Sequence, residues 1–118
     1  MIDRKPTRER LQEVLYQAWS LSSSSLWTEE NPARGQCGVT ALVVHDWWGG
    51  EILKTETPGG WHFYNRLDGE RIDFTASQFS APIRYADIPS SREEAFADTN
   101  AEQYGYLKER VARLLADE

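Results

Sequence analysis

Apolar side chains recur at Leu11, Val14, Leu15, Ala18 and Trp19, the i, i+3, i+4, i+7, i+8 spacing of one helical face. Pro6-Thr7 reads as the start of that helix. The run "SLSSSS" ends it and opens a loop through Asn31-Pro32 to Gly35. From about Gln36 to Trp48 the pattern changes. Val39, Ala41, Leu42, Val43, Val44 and Trp47 surround the axis more than they stripe it, and Gly49-Gly50 follows as a stop. A helix that is apolar nearly all round is a buried one. The chain is therefore predicted to hold a central helix with Cys37 in its first turn.

The period then shortens. "EILKTE" reads as a strand, "TPGG" as a turn, and "WHFYNRL" and "ERIDFT" as two strands joined by Asp68-Gly69. Asp-Gly between runs rich in aromatic and β-branched residues is a strong hairpin signal. A two-residue turn there pairs Leu67 with Glu70, Arg66 with Arg71, Asn65 with Ile72, Tyr64 with Asp73 and Phe63 with Phe74. Beyond Thr75 the pattern weakens, and "APIRYADI" has room for one short strand. Ser91-Arg92-Glu93-Glu94 has capping-box spacing and opens a short helix. Tyr104, Leu107, Val111, Leu114 and Leu115 mark one face of a C-terminal helix. The expected fold is α+β in a single domain, residues 1–118: a central buried helix on a small antiparallel β-sheet, with N- and C-terminal helices.

Charge and cysteine count narrow the function classes. A net charge of −6 argues against nucleic acids and acidic membranes, which need a basic face. One cysteine makes no intrachain disulfide, "MIDRKPTRER" is not a secretory leader, and no apolar run nears a membrane span. The expected location is cytoplasmic. "GQCG" and "TPGG" lack the lysine and spacing of a phosphate loop, and no paired ligands have zinc spacing. No metal and no cofactor is expected.

The candidate chemistry starts at Cys37. A helix N-terminus favours thiolate, the attacking form. Gly35 and Gly38 flank the Gln36-Cys37 pair and leave room for a substrate backbone, and first-turn N–H groups with the Gln36 amide can line an oxyanion hole. A lone cysteine in an apolar helix is also, and more commonly, a small buried hydrophobe. The hairpin bears on the choice. Its register puts His62 and Tyr64 on the face shared with Asp73 and Thr75, with Asp73 diagonal to His62. Asp73 can then hold the imidazole while His62 takes the thiol proton. A one-residue slip sends Asp73 to the other face and makes Asn65 the competing partner. His45, eight residues after Cys37, lies about 12 Å along the helix, too far to pair with the thiol. Trp61 either lines a cleft or covers the opposite sheet face.

"GQCGVTALVVHDWWGGEIL" and "WHFYNRLDGERIDFTASQF" resemble the YunG-like family of small bacterial proteins, over about residues 27–79. More distantly, the order is similar to papain-like and transglutaminase-like folds, in which a cysteine heads a buried helix against a sheet carrying histidine and then an acid or amide. That resemblance implies a papain-like core and thiol chemistry on an amide, or a degenerate relative that keeps the fold. Carried over by position, Cys37 is the nucleophile, His62 the general base and Asp73 the orienting acid; Gln36 departs from the papain-like pattern, whose glutamine lies several residues earlier. Two functions are expected from this. One is a cysteine hydrolase or acyltransferase acting on a small-molecule or protein side-chain amide, or a thioester, without cofactor. The other is a non-catalytic, small acidic binding or immunity-type protein.

Overall fold

The structure, a computed structural model, describes residues 5–116; residues 1–4 and 117–118 of the expected domain lie outside that range. Helix α1 spans Arg8–Ala18 and opens with Thr7, whose hydroxyl accepts from the Arg10 N–H at 3.1 Å. Its buried face is Leu11, Val14, Leu15 and Ala18, as the spacing predicts. Trp19 leaves the helix but stays buried, and its indole N–H donates to Thr40 Oγ1 at 2.9 Å.

Thr40 belongs to α2, Cys37–Trp48, the central helix. Nine of its twelve residues are buried, because two layers cover it. On one side Val39, Val43 and Val44 join α1 and the C-terminal helix in the larger core cluster; on the other, Cys37, Ala41 and Leu42 meet Ile52, Phe63 and Ala95. Gly49 ends α2 at φ +72, a left-handed conformation that glycine adopts without steric cost.

Strand β1 (Glu51–Thr57) pairs antiparallel along its whole length with β2 (Gly60–Leu67), from Glu51 opposite Arg66 to Thr57 opposite Gly60. Strand β3 (Glu70–Ile72) continues the hairpin through Asp68 and Gly69, both at positive φ. Leu67 pairs with Glu70, Arg66 with Arg71 and Asn65 with Ile72, the predicted register. The expected strand to Thr75 is cut short at Ile72. Asp73 turns its carboxylate onto the Thr75 N–H at 3.1 Å, a local bond that competes with the ladder, and a 3₁₀ turn over Ala76–Gln78 follows. In the segment 81–88 only its end enters the sheet, as a fourth strand β4 (Ile88–Pro89) beside β1. The preceding residues are held by side chains instead: Thr55 Oγ1 bridges the Arg84 carbonyl and the Ala86 N–H, and Asp87 sits at φ +53. The sheet order is β3-β2-β1-β4.

Helix α3 (Arg92–Ala97) starts at Ser91, whose hydroxyl accepts from the Glu94 N–H at 3.1 Å. The Glu94 carboxylate accepts from Ser90 Oγ and Lys54 Nζ. Helix α4 (Ala101–Ala116) buries Leu107 and Val111 and packs Tyr104, Leu114 and Leu115 at the core margin. Among the described residues the architecture is α+β, four α-helices and a four-stranded antiparallel sheet. No helix among the described residues is long and apolar enough to cross a membrane.

Candidate active site

Cys37 is the first residue of α2, after Gln36 at the cap position. It is 8% exposed. Its thiol donates to Asp98 Oδ2 at 3.5 Å, and the Gly38 N–H donates to the same oxygen at 3.2 Å. Asp98 caps the C-terminus of α3. Gly38 permits this contact: a methyl group there would lie 2.6 Å from Asp98 Oδ2 and 2.8 Å from the Ala95 carbonyl oxygen. At Gly35, φ is +74 and a methyl group would lie 2.4 Å from Ser24 Oγ. The glycines expected to admit a substrate backbone instead admit the protein's own α3 and serine loop.

The thiol is pushed up to about 12. Burial is the largest cause, followed by the negative charge of Asp98; the N–H groups of Phe63 and Gly38 pull weakly the other way. The expected thiolate-favouring helix front is therefore overridden, and the resting sulfur carries its proton at neutral pH. The Asp98 carboxyl is itself raised, mainly by desolvation, against the lowering influence of the Cys37 and Gly38 hydrogen bonds and of nearby His62.

Strand β2 carries His62, 2% exposed. Its Nε2 lies 2.7 Å from Asp73 Oδ2. The Tyr85 hydroxyl donates to that oxygen at 2.7 Å, while Asp73 Oδ1 accepts from the Thr75 N–H and hydroxyl at 3.1 and 3.2 Å. With donors on both oxygens, Asp73 serves as acceptor throughout. It thereby assigns the His62 proton to Nε2 in the neutral ring and leaves the Nδ1 lone pair free. Nδ1 has no hydrogen-bond partner among the described residues. Phe79 packs edge-on against the imidazole at 4.8 Å between centroids, and Tyr64 stacks on it at 5.7 Å. Burial and the Asp73 carboxylate raise the Tyr85 hydroxyl, so it remains a donor. The competing Asn65 points to the other sheet face, where its amide donates to the Ala41 carbonyl at 3.1 Å. His45, in the last turn of α2, faces Arg92 with its Nδ1 2.9 Å from Nη1.

Cys37 and His62 line one cavity of about 410 Å³, with Trp61, Gln78, Phe79 and Asp98 in its wall. That volume is of small-molecule size. The structure thus joins His62 to Asp73 and sets Cys37 in the same cavity, but the thiol's direct partner is Asp98. Trp61 is 47% exposed at the mouth, with the Lys54 ammonium 4.5 Å over its ring. Gln36 is placed elsewhere. It is wholly buried, neither amide atom has a partner among the described residues, and it is not in the cavity wall. The glutamine in the wall is Gln78, whose Oε1 is 3.5 Å from the Gly35 N–H and whose buried Nε2 has no partner among the described residues. Sequence reasoning missed Asp98, Tyr85 and Gln78. They come from α3 and the irregular segment after β3, where no periodicity announces a site. Among the described residues no three His, Cys, Asp or Glu side chains are grouped to hold a metal ion.

No solved structure matches the chain. A protein of Bacillus subtilis (strain 168), "Uncharacterized protein YunG", is 58% identical over 105 residues, which span 89% of this chain and 91% of that protein. The family model described as YunG protein matches residues 7–116, and the chain belongs to the YunG family.

Proposed function

We propose that the protein is a cysteine-dependent acyl-transfer enzyme, a hydrolase or acyltransferase acting on an amide or thioester, built on a papain-like core. The observation that supports this reading is the 2.7 Å His62–Asp73 contact, which leaves the buried Nδ1 without a partner among the described residues, in a side chain that lines the same cavity as Cys37. In the proposed cycle Nδ1 takes the thiol proton as sulfur attacks the carbonyl carbon. The proton then passes to the leaving amine or thiol as the carbon–heteroatom bond breaks. Water or an acceptor amine resolves the acyl-enzyme. Because the resting thiol is protonated, activation is by general base at the moment of attack rather than by a standing thiolate. Asp73, braced by Tyr85 and Thr75, is the positioning residue for the imidazole. Gln78, whose buried Nε2 has no partner among the described residues, lines the same cavity and is the side-chain donor assigned to the oxyanion in this cycle, and Trp61 is part of the wall.

One observation favours the alternative, an acidic binding protein on the same fold: the 8%-exposed, protonated thiol. The two readings separate on acylation. Incubation with a panel of aryl thioesters and p-nitrophenyl esters, followed by intact mass spectrometry, is expected to give one acyl adduct, on Cys37. Cys37→Ala abolishes it and His62→Ala slows it about 100-fold or more, the worth of a general base. If the native protein takes no acyl group from any donor, while the denatured thiol does, the binding reading stands instead.

A further inference from the structure

The thiol donates to a carboxylate, an unusual neighbour for a nucleophile because its charge opposes thiolate formation. Among the described residues only its Oδ2 is hydrogen-bonded, by the Cys37 thiol and the Gly38 N–H. Asp98 is exposed as a residue and lines the cavity, and among the described residues nothing hydrogen-bonds its other oxygen. The aromatic rings of Trp61 and Phe79 form part of the same wall. A carboxylate with aromatic faces beside it suits a cationic amine. Trp61 already takes part in such a pairing outside the cavity lining: the Lys54 ammonium lies over its ring and 3.0 Å from Glu94.

Distance decides where on the substrate that amine must be. Asp98 Oδ2 is 3.5 Å from the sulfur, and a carbonyl carbon poised for attack sits roughly 3–3.5 Å from the same sulfur. An ammonium within ~2.9 Å of the carboxylate fits beside that carbon when both lie on the same side of the sulfur. An α-amino nitrogen is only about 2.5 Å from its own carbonyl carbon by standard bond lengths and angle. An amine at the far end of a longer chain must immobilise additional rotors to reach the same carboxylate.

Resting on the reading of Cys37 as nucleophile, we propose that Asp98 selects acyl donors with a free, protonated α-amine, that is α-aminoacyl amides, esters or thioesters. The bound ammonium takes over the Asp98 oxygens and cancels the charge that holds the thiol proton in place. The proton then moves to His62 Nδ1, the sulfur–carbon bond forms, and the leaving group departs with that proton. The product is an aminoacyl thioester on Cys37, which water hydrolyses. Turning Asp98 onto the ammonium also releases the Gly38 N–H, a first-turn donor, for the carbonyl oxygen.

Three synthetic donors test this: glycyl, N-acetylglycyl and 4-aminobutyryl thiophenyl esters. Acylation of Cys37 is followed by intact mass, and each rate is divided by that of N-acetylcysteine with the same donor to remove intrinsic reactivity. The native protein is expected to favour glycyl over both others by about 10–100-fold, the worth of one charge-assisted hydrogen bond. Asp98→Asn is expected to bring the three within a few-fold. Equal normalised rates in the native protein overturn the inference while leaving Cys37 a nucleophile, and this arm needs no variant to fold. Adducts from none of the three, nor from the ester panel, overturn the nucleophile and the inference together.

Discussion

Gly38→Ala tests the contact between α2 and α3 on which the site's electrostatics depend. The added methyl would lie 2.6 Å from Asp98 Oδ2 and 2.8 Å from the Ala95 carbonyl oxygen, against 3.4 Å for ordinary contact. The carboxylate can swing aside, but the carbonyl is backbone. Ala95 is fully buried and its N–H is bonded to the Ser91 carbonyl at 3.0 Å, so α3 must withdraw by about 0.6 Å as a unit. Such overpacking costs about 1–3 kcal/mol. The better helix propensity of alanine returns at most about 1 kcal/mol, and less in a first turn. The net expectation is a loss of about 1–2 kcal/mol by urea titration. Asp98 moves away from the sulfur in the same step, so alkylation of native Cys37 by iodoacetamide should quicken. A variant as stable as the parent, with Cys37 alkylated at the parental rate, would refute the close approach of the two helices and the role given to Asp98.

Asp73→Asn leaves one acceptor oxygen where two now serve four hydrogen bonds, so either Thr75 or the His62–Tyr85 pair faces an amide donor. Cys37 acylation should fall to about the level of His62→Ala, about 100-fold or more, because a wrong tautomer removes the base, and the ¹⁵N shifts of His62 should report a changed tautomer; unchanged shifts and rate would remove Asp73 from the site. Gln36→Met replaces a wholly buried amide that has no partner among the described residues. Relief of that desolvation, about 1–3 kcal/mol, should raise Tm with acylation intact, whereas loss of acylation in a folded variant would restore Gln36 as the oxyanion donor. At alkaline pH the Cys37 thiol ionises in the unfolded chain near 9.0 but in the native state only near 12. Its contribution is therefore complete below pH 9 and lost as pH climbs toward 12. From pH 8 to 10.5 the native protein should lose about 2 kcal/mol more stability than Cys37→Ala, and parallel urea profiles would contradict the buried, protonated thiol.

Much of the scaffold was legible because its signals are local. The face Leu11–Ala18, the all-round apolar α2, the Asp68-Gly69 turn and the Ser91 cap each depend on residues a few positions apart. The hairpin carried this furthest: strand alternation plus a two-residue turn was enough to put Asp73 beside His62, and the 2.7 Å bond follows that register. Its continuation failed at Asp73 itself, where a side-chain bond to Thr75 competes with strand pairing and ends β3.

What only the tertiary structure decided is the environment of the sulfur. Asp98 reaches Cys37 across 61 residues because Gly38 lets α3 press against α2. Tyr85 reaches Asp73 from a segment with no repeating pattern. Helix position alone argued for an easily ionised thiol; burial and one facing carboxylate reversed that. A chain's periodicity specifies which faces are covered, since covering is a property of whole stripes of residues. A single side chain's proton affinity depends on solvent exclusion and on charges a few ångströms away, and those are set by packing between elements distant in the chain.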